Sequence, residues 1–332
     1  MGKLLLTIKK RLYIFVALDF IAALLFGLSF DVQHLNIKLI SMIAVFMMLY
    51  PMLTGMAVEK VKKAGRNYKL ISLTLFFAFF VASATAFVIS RTIFVNEPEL
   101  ALGIILVGAI PCSNMLIGWS GIADASVEDA LVIAVIGLLL IPILSPFIIR
   151  FSGGPLIPID AKSLFLNLLI FILIPLIFGY FTRRAIIARK GMPYFMGVKK
   201  YFPGVSSLGI LLIIFFSVAK VAHQVVGHPI VFLQVAAALF IYYIIQTTLA
   251  LLTAKLVHLN YAQGMILILG ATASSQAISL ALAATMFGGM TVFALAFKPI
   301  LQVLYILFLI YAMGPRIKRF LDDEKVEVIP AL

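Results

Sequence analysis

Two runs of polar and helix-breaking residues interrupt an otherwise apolar sequence. The first, PCSN at 111–114, combines a proline with the chain's only cysteine, a serine and an asparagine. The second lies at 270–279, where GATASSQAIS brings together small, hydroxyl and amide residues. A thiol is a soft ligand and hydroxyl and amide groups form hydrogen bonds, so these runs could bind a small polar substrate. The candidate binding residues are Cys112, Ser113, Asn114, Ser274, Ser275 and Gln276.

Both runs lie within segments long enough to cross a membrane. Of the 332 residues, 64% are hydrophobic and only 12% are charged, whereas a soluble domain has about 25% charged residues. Apolar runs of about 20 residues recur along the chain, and they predict membrane-crossing helices rather than the short alternating strands of a barrel. We therefore predict an all-α integral membrane protein with ten spans, near 12–30, 37–57, 70–90, 101–119, 127–149, 163–182, 204–222, 229–252, 261–286 and 291–313.

Lysine and arginine residues cluster on one side of these spans. Basic clusters precede span one, follow span two, occupy 183–200 and follow span ten, whereas the loops on the other side contain few basic residues. The positive-inside rule then predicts a cell-membrane protein with both termini in the cytoplasm. The net charge of +13 therefore indicates contact with the lipid bilayer and not a nucleic-acid partner.

The basic segment 183–203 divides the spans into two sets of five. Residues 1–182 form the first predicted repeat, 183–203 a cytoplasmic connecting loop, and 204–332 the second repeat with a short cytoplasmic tail. Because each half has an odd number of spans, the second half enters the membrane from the opposite side, which predicts inverted repeats and a secondary transporter. The two polar runs then fall in the fourth span of each half. We expect these spans, four and nine, to be broken, crossing helices.

Each run also has a purely structural explanation. Small residues in membrane helices more often allow close helix packing, and a proline alone more often kinks a helix than marks a site. The occurrence of both runs at equivalent positions favours a binding site, because unpaired backbone groups are tolerated in a membrane only where they line a cavity or bind a ligand.

Three further polar side chains lie within the predicted spans. Asp19, midway along span one, could couple a proton to transport or form a hydrogen bond with a neighbouring helix. Gln246, in span eight, could form hydrogen bonds across helices. Lys298, in span ten, could pair with an anionic substrate, but we expect its side chain to extend to the membrane surface.

The segment PCSNMLIGWSGIA resembles the fourth span of the arsenite efflux permeases, in which a cysteine is followed by a methionine and a tryptophan, here Cys112, Met115 and Trp119. Its serine–asparagine pair is similar to that of the related bile-acid:sodium symporters. The segment 270–288 resembles span nine of both groups, and KPILQVLYILFLIY resembles span ten of the permeases. The resemblance implies a transporter that works by alternating access, with its substrate held between spans four and nine.

The sequence departs from both groups at their acidic residues. The symporters use a glutamate in span nine to help hold sodium, and the permeases carry acids in spans nine and ten. Here 270–276 contains no carboxylate, and Gln302 stands where the span-ten acid is expected. These departures argue against a sodium site like that of the symporters and against a proton relay like that of the permeases. Either a sodium ion or a proton could still be the coupling ion.

Two substrate classes remain open. Efflux of arsenite or a similar small oxyacid is favoured by the Cys112 thiol, whose coordination oxygen groups would complete. The alternative is an organic-anion symporter, coupled to sodium or protons, that uses Ser113, Asn114 and the span-nine polar groups. We expect no enzyme, cofactor or metal site, because no histidine lies in a span centre near Cys112 and no nucleotide-binding or zinc motif is present.

The orientation can be tested by labelling from outside the cell with a membrane-impermeant thiol reagent. In a Cys112→Ser background, we expect a cysteine introduced within 150–162 to be labelled and one introduced within 183–203 to be protected. The reverse pattern would contradict the ten-span topology and, with it, the inverted repeat.

Overall fold

The computed structural model describes residues 12–30, 32, 37–55, 67–112, 114–227 and 229–322. Over these residues the chain is helical, apart from short connections and one bridge between two extended backbone segments. The helices are α1 (Leu12–Ser29), α2 (Ile37–Thr54), α3 (Tyr68–Ile93), α4 (Pro98–Ala109), α5 (Asn114–Ile122), α6 (Val127–Gly153), α7 (Ala161–Lys199), α8 (Phe202–Lys220), α9 (Ala222–Gly227), α10 (Pro229–Leu256), α11 (Tyr261–Thr272), α12 (Gln276–Phe287) and α13 (Gly289–Asp322).

Each predicted span overlaps one of these helices or, for spans four and nine, a pair of helices. By length and composition, six helices could cross a membrane on their own, namely α3, α6, α7, α8, α10 and α13. The apolar parts of α1, α2, α4, α11 and α12 are shorter. The chain is therefore a multi-pass membrane protein.

Large apolar side chains cover much of the outer surface of the bundle. Leu25, Phe147, Phe151, Phe181 and Leu256 are each more than half exposed, whereas many serine, threonine and glutamine side chains are buried between helices. Apolar residues outside and polar residues inside are expected where the surrounding solvent is lipid.

The segment that we predicted to be a connecting loop is largely helical. Helix α7 continues to Lys199 and is interrupted at Gly191, which has φ of 80° and is followed two residues later by Pro193. The arginine, lysine, alanine and isoleucine residues before Gly191 favour a helix, so hydrophilic character alone was a poor guide to conformation here. Glycine reaches positive φ at low cost, and proline removes a backbone donor, so the interruption falls at these two residues.

Short polar side chains cap the N-termini of helices α6 and α7. Ser126 Oγ accepts a hydrogen bond from the N–H of Asp129 (3.2 Å) at the start of α6. Asp160 caps α7 by accepting from the N–H of Lys162 (3.0 Å) and the hydroxyl of Ser163 (2.6 Å). The Ser163 hydroxyl, followed by the Lys162 N–H, lowers the pKa of the exposed Asp160 carboxyl.

Glycine residues allow close backbone contacts among the four helices α1, α2, α7 and α8. A Cβ atom added to Gly27 on α1 would lie 2.1 Å from the Ala219 carbonyl oxygen on α8. A Cβ atom added to Gly179 on α7 would lie 2.8 Å from Thr54 Oγ1 and 2.9 Å from the Thr54 nitrogen on α2. Backbones that approach this closely leave no room for a larger side chain.

Replacing Gly179 with alanine should therefore push α2 and α7 apart. We expect a loss of about 1–3 kcal/mol in stability, which is typical of overpacking, seen as a lower melting temperature of the detergent-solubilised protein. Gly197 is the matched control on the same helix, because a Cβ atom there meets nothing within 4 Å. Gly197→Ala should be neutral or stabilising by about 0.5–1 kcal/mol. Equal behaviour of the two variants would contradict the close α2–α7 contact.

Candidate functional site

The two polar runs interrupt spans four and nine, as the sequence predicts. Helix α4 ends at Ala109, and Ile110 is extended with φ −123° and ψ 99°. Helix α11 ends at Thr272, and Ala273 and Ser275 are extended before α12 begins. Proline lacks an N–H group and serine hydroxyls compete for backbone partners, so both runs favour the end of a helix.

The two breaks cross and pair with each other through their backbones. Pro111 and Ser274 form an antiparallel bridge. The N–H of Ser275 donates to the carbonyl oxygen of Ile110 at 3.2 Å. Each break thus satisfies backbone groups that the other helix end leaves free, as a membrane interior requires.

Gln302 on α13 binds the backbone of the span-nine break from the side. Its Oε1 accepts from the N–H of Ser274 at 3.3 Å, and its Nε2 donates to the carbonyl oxygen of Ser274 at 3.4 Å. Gln302 is fully buried. It therefore holds the donor and the acceptor of one break residue with a single neutral amide.

Lys298 lies one turn before Gln302 and is also fully buried. Its ammonium donates to the carbonyl oxygen of Ser275 at 3.2 Å and to the hydroxyl of Ser279 at 3.0 Å. The expectation that this side chain extends to the membrane surface was therefore wrong. Lys298 lies nine residues after Gly289, a rise of about 13 Å along a helix, and the break offers oxygen acceptors within reach.

Cys112 places its sulfur in the same cluster. The residue is 4% exposed, and its sulfur lies near the backbone N–H of Leu116 and near Lys298. Leu116 belongs to α5, so the thiol faces the first turn of that helix. A sulfur atom and an ammonium group thus lie beside the crossing.

Several buried polar atoms around the crossing have no hydrogen-bond partner in the part of the chain that the structure describes. They are Ser274 Oγ, Gln276 Nε2 and Trp119 Nε1, on residues that are 2%, 4% and 9% exposed. Buried polar groups are normally paired, and leaving one unpaired is costly. A molecule bound here could accept hydrogen bonds from such atoms.

Two predicted site residues cannot be placed in this geometry. Ser113 lies outside the described residues, and so does the side chain of Asn114, although its backbone begins α5. Their predicted substrate contacts stay predictions.

The structure does not bring Gln246 and Asp19 into the crossing cluster by any hydrogen bond among the described residues. Gln246 Nε2 donates across to α3, to Thr85 Oγ1 at 2.7 Å and to the carbonyl oxygen of Val81 at 3.3 Å. The predicted cross-helix bonding of Gln246 is therefore confirmed. Asp19 lies on α1, and its buried Oδ2 has no hydrogen-bond partner among the described residues.

A second polar chain, which the sequence interpretation missed, adjoins the site. The hydroxyl of Tyr305 lies 2.9 Å from Thr247 Oγ1 and donates to it, and Thr247 lies 3.3 Å from the hydroxyl of Thr272 at the end of α11. Lys298, Gln302 and Tyr305 are spaced i, i+4 and i+7, which puts them on one face of α13. That spacing was the available signal for Tyr305.

The site acts through hydrogen bonds, one thiol and one positive charge. Among the described residues, no group of three or more histidine, cysteine, aspartate or glutamate side chains could hold a metal ion. Among the described residues, the titratable group that interacts with Lys298 is Cys112, and no carboxylate does. Such a cluster can bind a small molecule that has acceptor oxygens.

Comparison with known proteins yields relatives of two descriptions. The chain is 26% identical over 221 residues to "Arsenical-resistance protein Acr3" of Alkaliphilus metalliredigens, covering 63% of this chain and 62% of the relative's length. It is 25% identical over 293 residues to the Acr3 protein of Corynebacterium glutamicum, covering 83% and 79%. An "Uncharacterized transporter slr0944" of Synechocystis is 23% identical over 227 residues, covering 62% and 59%.

A family profile matches more than half of the chain. The profile described as "Sodium Bile acid symporter family" matches residues 42–228. The match includes α4, the break after it and α5, so it covers the first of the two crossing segments. Members of this family are transporters and not enzymes. The chain therefore belongs to the sodium/bile acid symporter family.

Proposed function

We propose that this transporter works by alternating access and exports arsenite or a similar small oxyacid. The observation that carries the proposal is the position of Cys112, which is buried and directly follows Pro111 at the crossing of the two breaks. Ser274 Oγ and Gln276 Nε2, in and next to the second break, have no partner among the described residues. The two relatives named arsenical-resistance proteins support the same substrate at about a quarter identity.

The chemistry of arsenic(III) suits this arrangement. A thiolate or thiol sulfur is a soft ligand, which favours a soft metalloid centre over a hard cation. Because the chain has one cysteine, oxygen ligands and hydrogen bonds must complete the binding of a small oxyacid. The proposal assigns some of these to the hydroxyl of Ser274 and the amide of Gln276, and others to Ser113 and Asn114.

The proposed architecture is a pair of inverted repeats, 1–182 and 204–332, joined by 183–203. Some helix contacts support this, because they recur when each span is exchanged for the one five positions away. Helices α1 and α8 pack together, and so do their counterparts α7 and α2; α3 with α4 corresponds to α10 with α11. Both halves also contain a broken fourth span. We further propose that the protein lies in the cell membrane with both termini cytoplasmic.

An organic anion is the second candidate substrate. It is favoured by the buried ammonium of Lys298, which no carboxylate neutralises among the described residues. An anion bound near the crossing would compensate that charge and accept from Gln276 Nε2. Coupling to sodium or protons would then drive uptake or exchange.

Cys112→Ser separates the two substrates. In everted membrane vesicles, which accumulate exported substrates, we expect the variant to lose arsenite transport, because a hydroxyl does not replace the soft sulfur ligand. Transport of an organic anion should change only slightly. Ser120→Ala is the control, since the Ser120 hydroxyl bonds within its own helix, to the carbonyl oxygen of Leu116 at 2.7 Å.

Asn114→Ala should weaken substrate binding by a few-fold to about tenfold, the effect of one lost hydrogen bond of about 0.5–1.5 kcal/mol. Protein level in the membrane should stay normal, because a packing role would reduce it instead. If Cys112→Ser and Asn114→Ala both transport arsenite and organic anions normally, the break is a kink and the site lies elsewhere.

A further inference from the structure

The ammonium of Lys298 lies where two unwound segments meet, deep in a membrane protein. It is fully buried, and its two acceptors are the carbonyl oxygen of Ser275, at the start of α12, and the hydroxyl of Ser279 one turn later. A buried ionisable group inside a membrane is costly and points to a functional role.

The oxygen atoms that Lys298 uses are of the kind that bind alkali cations. Broken helices in secondary transporters coordinate sodium through main-chain carbonyl groups freed by the break. An ammonium group donates hydrogen bonds to the same oxygens that would coordinate a sodium ion. The two cations would therefore compete for one place at the crossing.

Spans nine and ten, all of whose residues the structure describes, offer no negative charge for a second cation. Spans nine and ten, over 261–313, contain no aspartate or glutamate, and Lys298 is their only lysine. Among the described residues, the titratable group that acts on Lys298 is Cys112. A sodium ion bound beside the ammonium would be repelled without compensation.

We propose that Lys298 is a tethered cation that occupies the place of a coupling sodium ion and holds the span-nine break in its binding geometry without sodium. Because a tethered charge is released on neither side of the membrane, a sodium gradient supplies no energy through this place. That consequence for transport rests on the proposed carrier function, whereas the competition between ammonium and sodium does not.

The test measures sodium alone, on the purified full-length protein in detergent. Melting temperatures are compared in sodium chloride and in choline chloride at equal ionic strength, and binding of radioactive sodium is measured by equilibrium dialysis. For the wild-type protein we expect equal melting temperatures and no saturable sodium binding. Lys298→Met removes the charge and vacates the oxygens, so sodium should raise its melting temperature by about 2 °C or more and bind saturably.

Two further variants control for charge. Lys298→Arg keeps a cation at the crossing and should show no sodium effect. Lys220→Met removes a lysine that lies exposed at the end of α8, and it should behave as the wild type does.

Either of two results would overturn the proposal: sodium-specific stabilisation of the wild type, or a folded Lys298→Met that ignores sodium. If Lys298→Met is not recovered folded, Lys298→Gln is purified in parallel in sodium and in choline. Recovery in sodium only supports the proposal, and recovery in neither, or equally in both, counts against it. Because no substrate is used, these outcomes are independent of whether the protein transports arsenite.

Discussion

The structure depends on the requirement that every backbone polar group inside the bilayer be paired. Two helices end within the membrane, after Ala109 and after Thr272, and each end leaves N–H and C=O groups free. The bridge between Pro111 and Ser274, with the bond from Ser275 to Ile110, pairs part of this set. Gln302 pairs both backbone groups of Ser274. Each break therefore supplies hydrogen-bonding partners to the other.

That pairing also decides which side chains meet. Because α13 runs beside the crossing, its face carrying Lys298, Gln302 and Tyr305 is directed at the break and at its polar neighbours. The charge and the amide that bind the break are then close to Cys112, which follows Pro111 directly. The proposed substrate site therefore overlaps the residues that pair the broken backbone, and Gln276, whose Nε2 has no partner among the described residues, begins α12 directly after the break.

The two helix breaks could be predicted from the sequence, but the buried position of the Lys298 ammonium could not. Proline and hydroxyl residues at membrane depth have a direct backbone consequence, so interruption of spans four and nine could be predicted. The position of Lys298 could not, because a lysine near a helix end extends to the surface or stays inside according to which acceptors a distant segment supplies. Span nine supplies them here. The sequence analysis did not predict that α7 continues to Lys199, because its basic residues were taken to indicate a loop.

The contacts also suggest how the proposed alternating access divides the molecule. Helices α1, α2, α7 and α8 pack on one another, with glycine contacts such as Gly27 on Ala219 fixing short distances. The broken helices are joined to α13 by hydrogen bonds and to α3 and α10 by packing. Bonds that pair buried backbone groups are costly to open, so the crossing should move as a unit. Sliding is cheaper between surfaces held by apolar contact, such as the packing of α12 on α2 and of α13 on α1. For the proposed carrier we therefore expect the site to open by movement of the crossing against α1, α2, α7 and α8, with the crossing itself staying intact.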